Sequence, residues 1–163
     1  MKRKKIAMYI FLVLSVITAA AIFYFSNQSA EVSYSVTDNV VSSVTKAPVT
    51  QKEWDVKNEL MVYVRKYAHV LIYGALSFFA SMTIFFSGIA QKRKWYIRSI
   101  YALLICIAYS ISDEIHQTFV PGRGASLNDI LIDSMGIVCG ISVSLLIQHF
   151  IHKKARKSKV TGE

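Results

Sequence analysis

Residues 112–129 read SDEIHQTFVPGRGASLND, and an apolar run stands on either side of them. Three carboxylates, a histidine and an arginine therefore sit at the mouth of two greasy segments. Within the stretch, Val120-Pro121-Gly122-Arg123 places proline and glycine in the order that a type II turn prefers. The flanking segments then read as a helical hairpin. Each helix rises about 1.5 Å per residue, so residues equidistant from the apex share a depth. Counting from between Gly122 and Arg123 puts Asp113 level with Asp133, and His116 level with Asp129. Cys106 and Cys139 fall level with each other, much deeper.

The rest of the chain fits a membrane setting. Of its 163 residues 53% are apolar, and the mean hydropathy is +0.39. Four spans near the roughly 20 residues needed to cross the hydrocarbon are read at 6–25, 67–87, 97–117 and 127–150. The first is longer than a signal-peptide core and lacks a clear cleavage site, so it is read as retained. The net charge of +9 punctuates these spans in blocks, which argues against nucleic-acid binding. Two cysteines inside apolar runs make neither a disulfide framework nor a metal motif.

Lysine and arginine set the orientation. Thirteen of the nineteen lie in the N-terminal segment, the 88–98 loop and the C-terminal tail, and six elsewhere. The basic-rich side is expected to be cytoplasmic, with both termini there. The 112–129 stretch then faces outward, as does the long loop 26–66. In that loop Val32, Val36, Val40 and Val44 recur at helical spacing, predicting an amphipathic helix. Thr50-Gln51-Lys52-Glu53 reads as a capping box. The helix it opens is expected to lie at the interface before turning in at the second span. Asn27-Gln28-Ser29 fits a glycosylation sequon but abuts the membrane, and is read as chance.

Polar residues from three spans converge on one layer. Arg65, His69 and Tyr73 share a face of the second span at spacings of four. Asp113, Glu114, His116 and Gln117 end the third, and Asp129 and Asp133 open the fourth. An ionisable side chain at mid-membrane costs about 2.5–3.5 kcal/mol or more, so such groups face the protein interior or a wet cavity. The acids are expected to pair with Arg65, Lys66, Arg123 or His116. Glu114 lies about 100° around the helix from Asp113, so one of the two is expected in solvent. Asp129 has a simpler reading as the third residue of a Ser126 helix cap. On the fourth span Asp129, Asp133, Gly136 and Gly140 form one stripe, whose small residues allow close helix packing. His149 and His152 read as interfacial residues at the opposite end.

These residues resemble the VanZ-like family of bacterial membrane proteins. The resemblance rests on Phe25-Ser26-Asn27-Gln28-Ser29, on Arg65-Lys66-x-x-His69-x-x-x-Tyr73, and on Asp113-Glu114-x-His116-Gln117-x-Phe119-x-Pro121-Gly122-Arg123. Ser126, Asp129, Asp133, Gly136 and Gly140 continue it, over about residues 20–145. Asn27 stands where the family more often has serine. The resemblance implies a bacterial plasma membrane and a link to the outer envelope, through the family's association with low-level resistance to the lipoglycopeptide teicoplanin. It implies no particular reaction.

The expectation is an all-α integral membrane four-helix bundle, one VanZ-like membrane domain over 1–163, with an external amphipathic segment. Its partners are membrane lipids and a lipid-linked envelope precursor or a lipoglycopeptide. Were it an enzyme, Asp113, Glu114, His116, His69 and Asp133 would supply acid–base chemistry. Arg65, Tyr73, Gln117, Arg123 and Asp129 would hold substrate, the arginines on phosphate. The rival reading gives the layer no chemistry, only headgroup binding or helix fastening. No metal is assigned, because the spacing matches no standard ligand motif, and no cofactor is specified.

Overall fold

A computed structural model describes residues 2–88 and 95–160 of the chain. The basic cluster Lys92-Arg93-Lys94 and Glu163 lie outside the described residues. Five helices follow one another: α1 (Lys2–Ser26), α2 (Ala30–Val44), α3 (Gln51–Ser87), α4 (Trp95–Gln117) and α5 (Leu127–Val160). Four of them, all but α2, are long and apolar enough to cross a membrane.

Burial explains why these helices need lipid. Among the described side chains of α1 only Ile22 and Ser26 are buried, while Val16 and Ile17 are more than half exposed. Such a surface suits a hydrocarbon solvent and would be costly in water. Backbone groups in lipid must be satisfied within the segment, which favours a helix. Hydroxyls follow the same rule: Ser15 and Thr18 each donate at 2.8 Å to the carbonyl four residues back.

Helix α3 differs from expectation. Its capping box is complete: Thr50 Oγ1 accepts from the Glu53 amide at 3.3 Å, and Glu53 Oε2 accepts from the Thr50 amide at 2.9 Å. No bend at the second span follows. One unbroken helix of 37 residues runs from Gln51 to Ser87, about 55 Å long against about 30 Å of hydrocarbon. The reason is that no proline or glycine interrupts it before Gly74. Its first turns therefore project beyond the bilayer, and α2 packs on them. Lys57 pairs with Asp38 at 2.6 Å, and Tyr34 Oη donates to Asn58 Oδ1 at 3.2 Å. The valine stripe of α2 is exposed; Val41 is the side chain it buries.

The bundle is organised on α3 and α5, the pair in most extensive contact, with α1 on α3 and α4 against both. Close approach is built into the glycines. A Cβ on Gly136 would run into the Val70 carbonyl, and one on Gly140 into the Gly74 carbonyl. At the level of these glycines lies the apolar core of Ile22, Tyr73, Leu76, Ala102, Cys106, Ile137 and Ile141. The α4–α5 turn closes as the sequence predicts. Arg123 N donates to the Val120 carbonyl at 3.1 Å, and Gly122 takes φ 74°. The Pro121 carbonyl accepts from Ala30 N at 3.2 Å, tying the turn to the start of α2.

Candidate functional site

Asp113 lies in the last turns of α4, where three helices meet. Its Oδ2 accepts from Ser26 Oγ of α1 at 2.8 Å, Gln117 Nε2 at 3.0 Å and Tyr73 Oη of α3 at 3.2 Å. A buried carboxylate without such donors would cost several kcal/mol. Glu114, on the adjacent face, is buried too, which corrects the expectation that one of the pair is solvated. The α4–α5 turn folds back over it, and Glu114 Oε2 accepts from the Ser126 amide at 2.8 Å. Its Oε1 is buried without a partner.

Asp133 is the deepest acid, with no exposed surface. Its Oδ2 accepts from Ser110 Oγ at 2.7 Å, and its Oδ1 lies 3.0 Å from His69 Nδ1. A carboxylate accepts only, so Nδ1 carries the proton in this contact and Nε2 is left with its lone pair when the ring is neutral. His69 keeps 22% of its side chain exposed and lines two cavities, so the pair joins the interior to the surface.

The expected pairing of acids with Arg65, Lys66, Arg123 or His116 is not found. Among the described residues the ion pairs are Lys57–Asp38 and His69–Asp133. The buried acids are satisfied chiefly by neutral hydroxyl, amide and backbone donors. Among the described residues none of them lies within 4 Å of Arg65, Lys66 or Arg123, although Asp113, Glu114 and Asp129 are near enough to act on the Arg123 charge. Arg65 and Arg123 line one cavity of about 260 Å³ together with His69, and its walls include Phe25, Val36, Val40 and Ile72. A second cavity of about 190 Å³ holds Arg65, Lys66, His69 and Asp129. Arg123 Nε is buried without a partner. Burial, and then the charge of Arg65, lower the Arg123 guanidinium below its ordinary value. It remains a cation under any physiological condition.

The remaining candidates divide. Tyr73 and Gln117 are fully inside and donate to Asp113, so here they fix that carboxylate. His116 stacks on Phe23 at 4.8 Å, and its Nε2 is buried and unpartnered. Ser126 caps α5, its Oγ accepting from the Asp129 amide at 3.4 Å, but the Asp129 side chain does not close the expected box, because the Ser126 amide donates to Glu114 Oε2 instead. Ser26 and Ser110, which hold the two aspartates, were not singled out by spacing; Ser26 was visible only within the family motif. No group of three or more His, Cys, Asp or Glu side chains converges among the described residues.

The fold and this layer define a multi-pass membrane protein with a layer of buried acids at one end of its bundle. A family model described as VanZ/LLP1 matches residues 11–148, and the chain belongs to that family. Neither the curated proteins nor the solved structures contain a match to it.

Proposed function

We propose that this VanZ-family protein acts at the outward face of a bacterial plasma membrane. There it binds the phosphate-bearing headgroup of a lipid-linked envelope molecule and alters how the envelope meets teicoplanin-type lipoglycopeptides. The observation that carries this reading is the Arg65–Arg123 pair at one cavity, two guanidiniums with no carboxylate within 4 Å among the described residues. The charge of exposed Arg65 repels that of partly buried Arg123, and an anion between them relieves that repulsion. Planar guanidinium matches phosphate oxygens in bidentate fashion. The apolar walls from Phe25, Val36, Val40 and Ile72 suit the lipid chain behind the headgroup. The outward orientation rests on the distribution of lysine and arginine.

The His69–Asp133 contact favours a second reading, in which the bound molecule is also turned over. In this reading His69, whose Nδ1 contacts Asp133 and which lines the same cavity, acts through Nε2 as general base on the bound headgroup.

The test is teicoplanin susceptibility of a sensitive bacterial host expressing the wild type or the double variant Arg65→Gln, Arg123→Gln, with membrane abundance matched. Binding predicts that wild type lowers susceptibility and the double variant does not. A silent wild type at good expression, or a double variant as protective as wild type, rejects the reading. Asp133→Asn separates the two versions. It abolishes protection if turnover is required, and spares it if binding suffices.

A further inference from the structure

At the far end of the bundle a second, unrelated polar site exists. A cavity of about 280 Å³ is lined by Arg98, Leu145, Gln148, His149 and His152. Arg98 belongs to the first turn of α4, fifteen residues before Asp113, which separates the two sites by about 22 Å along that helix. Its guanidinium lies 5.5 Å from the Phe85 ring, and His152 meets the same ring edge-on at 5.3 Å. Phe85 thus fixes both basic side chains from one side. Gln148 is fixed from the other. Its Nε2 donates to Ser144 Oγ at 2.8 Å and to Ser81 Oγ at 3.3 Å, and Ser144 donates to Ser81 at 2.8 Å.

The charge at this end is one-sided. All nine acids among the described residues lie either between Glu31 and Glu59 or between Asp113 and Asp133. None forms an ion pair with Arg98. Arg98 Nε is buried and has no hydrogen-bond partner. A partly buried guanidinium held against Phe85, its Nε unpartnered and without a counterion among the described residues, and flanked by two imidazoles, is built to receive an anion. Lys153 and Lys154 follow on α5 and add to the attraction. The cavity opens between helices at the end of a membrane bundle, where phosphate arrives on lipid headgroups.

We infer that the Arg98–His149–His152 cavity is a phosphate site that takes the headgroup of an anionic phospholipid from the leaflet opposite the Arg65–Arg123 site. It shares no residue with that site, so either can fail alone.

The experiment uses the delipidated protein carrying Arg65→Gln and Arg123→Gln, which removes the other arginine pair. Native mass spectrometry follows retention of phosphatidylglycerol against phosphatidylcholine, and inorganic phosphate is titrated in a separate arm. The expected result is about tenfold preference for phosphatidylglycerol, lost when Arg98→Gln is added. Inorganic phosphate binding that Arg98→Gln removes, with no preference between the lipids, keeps the phosphate site but assigns it to a soluble anion and overturns the lipid source. Equal retention of both lipids without phosphate binding, or a preference that Arg98→Gln leaves intact, overturns the site. Crosslinking the unsubstituted chain with a headgroup-photoactivatable phosphatidylglycerol needs no variant to fold. Label on the peptide holding Leu145–His152 supports the inference, and its absence there overturns it.

Discussion

His69 and Asp133 face each other across α3 and α5 at 3.0 Å, yet one is partly exposed and the other fully buried. The contact crosses the helix pair that packs most extensively, just above the level where Gly136 meets Val70. Helices held that closely leave little freedom in the ring position. Ser110 Oγ fills the second carboxylate oxygen at 2.7 Å, so the aspartate cannot turn away. A surface imidazole is thereby oriented from inside the bundle.

Asp133→Asn should break that orientation. An amide offers both a donor and an acceptor, so the ring is no longer held with Nδ1 protonated. Imidazole ¹⁵N spectra in micelles should show a single Nδ1–H form for neutral His69 in wild type and a tautomer mixture in the variant. Leaving the buried group imperfectly paired should lower stability by about 1–3 kcal/mol. An unchanged ¹⁵N pattern would show that Asp133 does not set the tautomer.

Asp113→Asn should be milder. All three of its donors converge on Oδ2, and an asparagine carbonyl oxygen in that place keeps the geometry while losing the charge. A stability loss of about 1–2 kcal/mol is expected, with the protein still monodisperse in detergent. Ser26→Ala and Tyr73→Phe each remove one donor and should cost less than Asp113→Ala, which leaves three polar groups facing a void. Thermal melts of the four variants rank these effects. Asp113→Ala melting with wild type would remove the aspartate from the architecture.

The four spans were legible because each is a predominantly apolar run near membrane-crossing length, and all four appear as helices containing those residues. Depth counting from Gly122 also found the polar layer, since helix rise is constant. It did not find the partners, because rise says nothing about rotation. Asp113 and Asp133 share a depth, but Asp113 turns to Ser26 and Tyr73 while Asp133 turns to Ser110 and His69. Serine was the blind spot. Most membrane serines bond to their own helix, as Ser15 does; spacing marks neither Ser26 nor Ser110 as an exception, and only the family motif draws attention to Ser26. The Gly136–Gly140 stripe was legible on α5, but its counterpart Gly74 was not, because a single glycine on α3 has no period to reveal it.

The first turn of α3 should respond to acid. Glu53 is held below its ordinary value of 4.5, first by the backbone amide of Thr50 and then by that of Val49. A carboxylate whose folded pKa is depressed stabilises the fold above its unfolded value, and that contribution disappears as pH falls through the folded value. Protection of the Val49 and Thr50 amides, corrected for intrinsic exchange, should therefore be full above pH 4.5 and decline below it. Glu53→Gln should remove that pH dependence. The same decline in Glu53→Gln would assign the fraying to another group.

Glycine at 136 and 140 tests whether the site depends on helix proximity. Both positions face backbone carbonyls on α3, at Val70 and Gly74, which cannot rotate out of the way as a side chain tip can. Even alanine must push the helices apart, and overpacking of this kind costs about 1–3 kcal/mol or more. Separation at Gly136 would also lengthen the His69–Asp133 contact one turn above. Gly140→Ala and Gly136→Ala are expected to lower the melting temperature, and Gly136→Leu to remove the protein from the membrane. Met135→Leu, on the exposed face beside Gly136, should do neither. If Gly136→Leu accumulates and melts as wild type does, α3 and α5 are not packed backbone to backbone. The His69–Asp133 pair would then need another explanation.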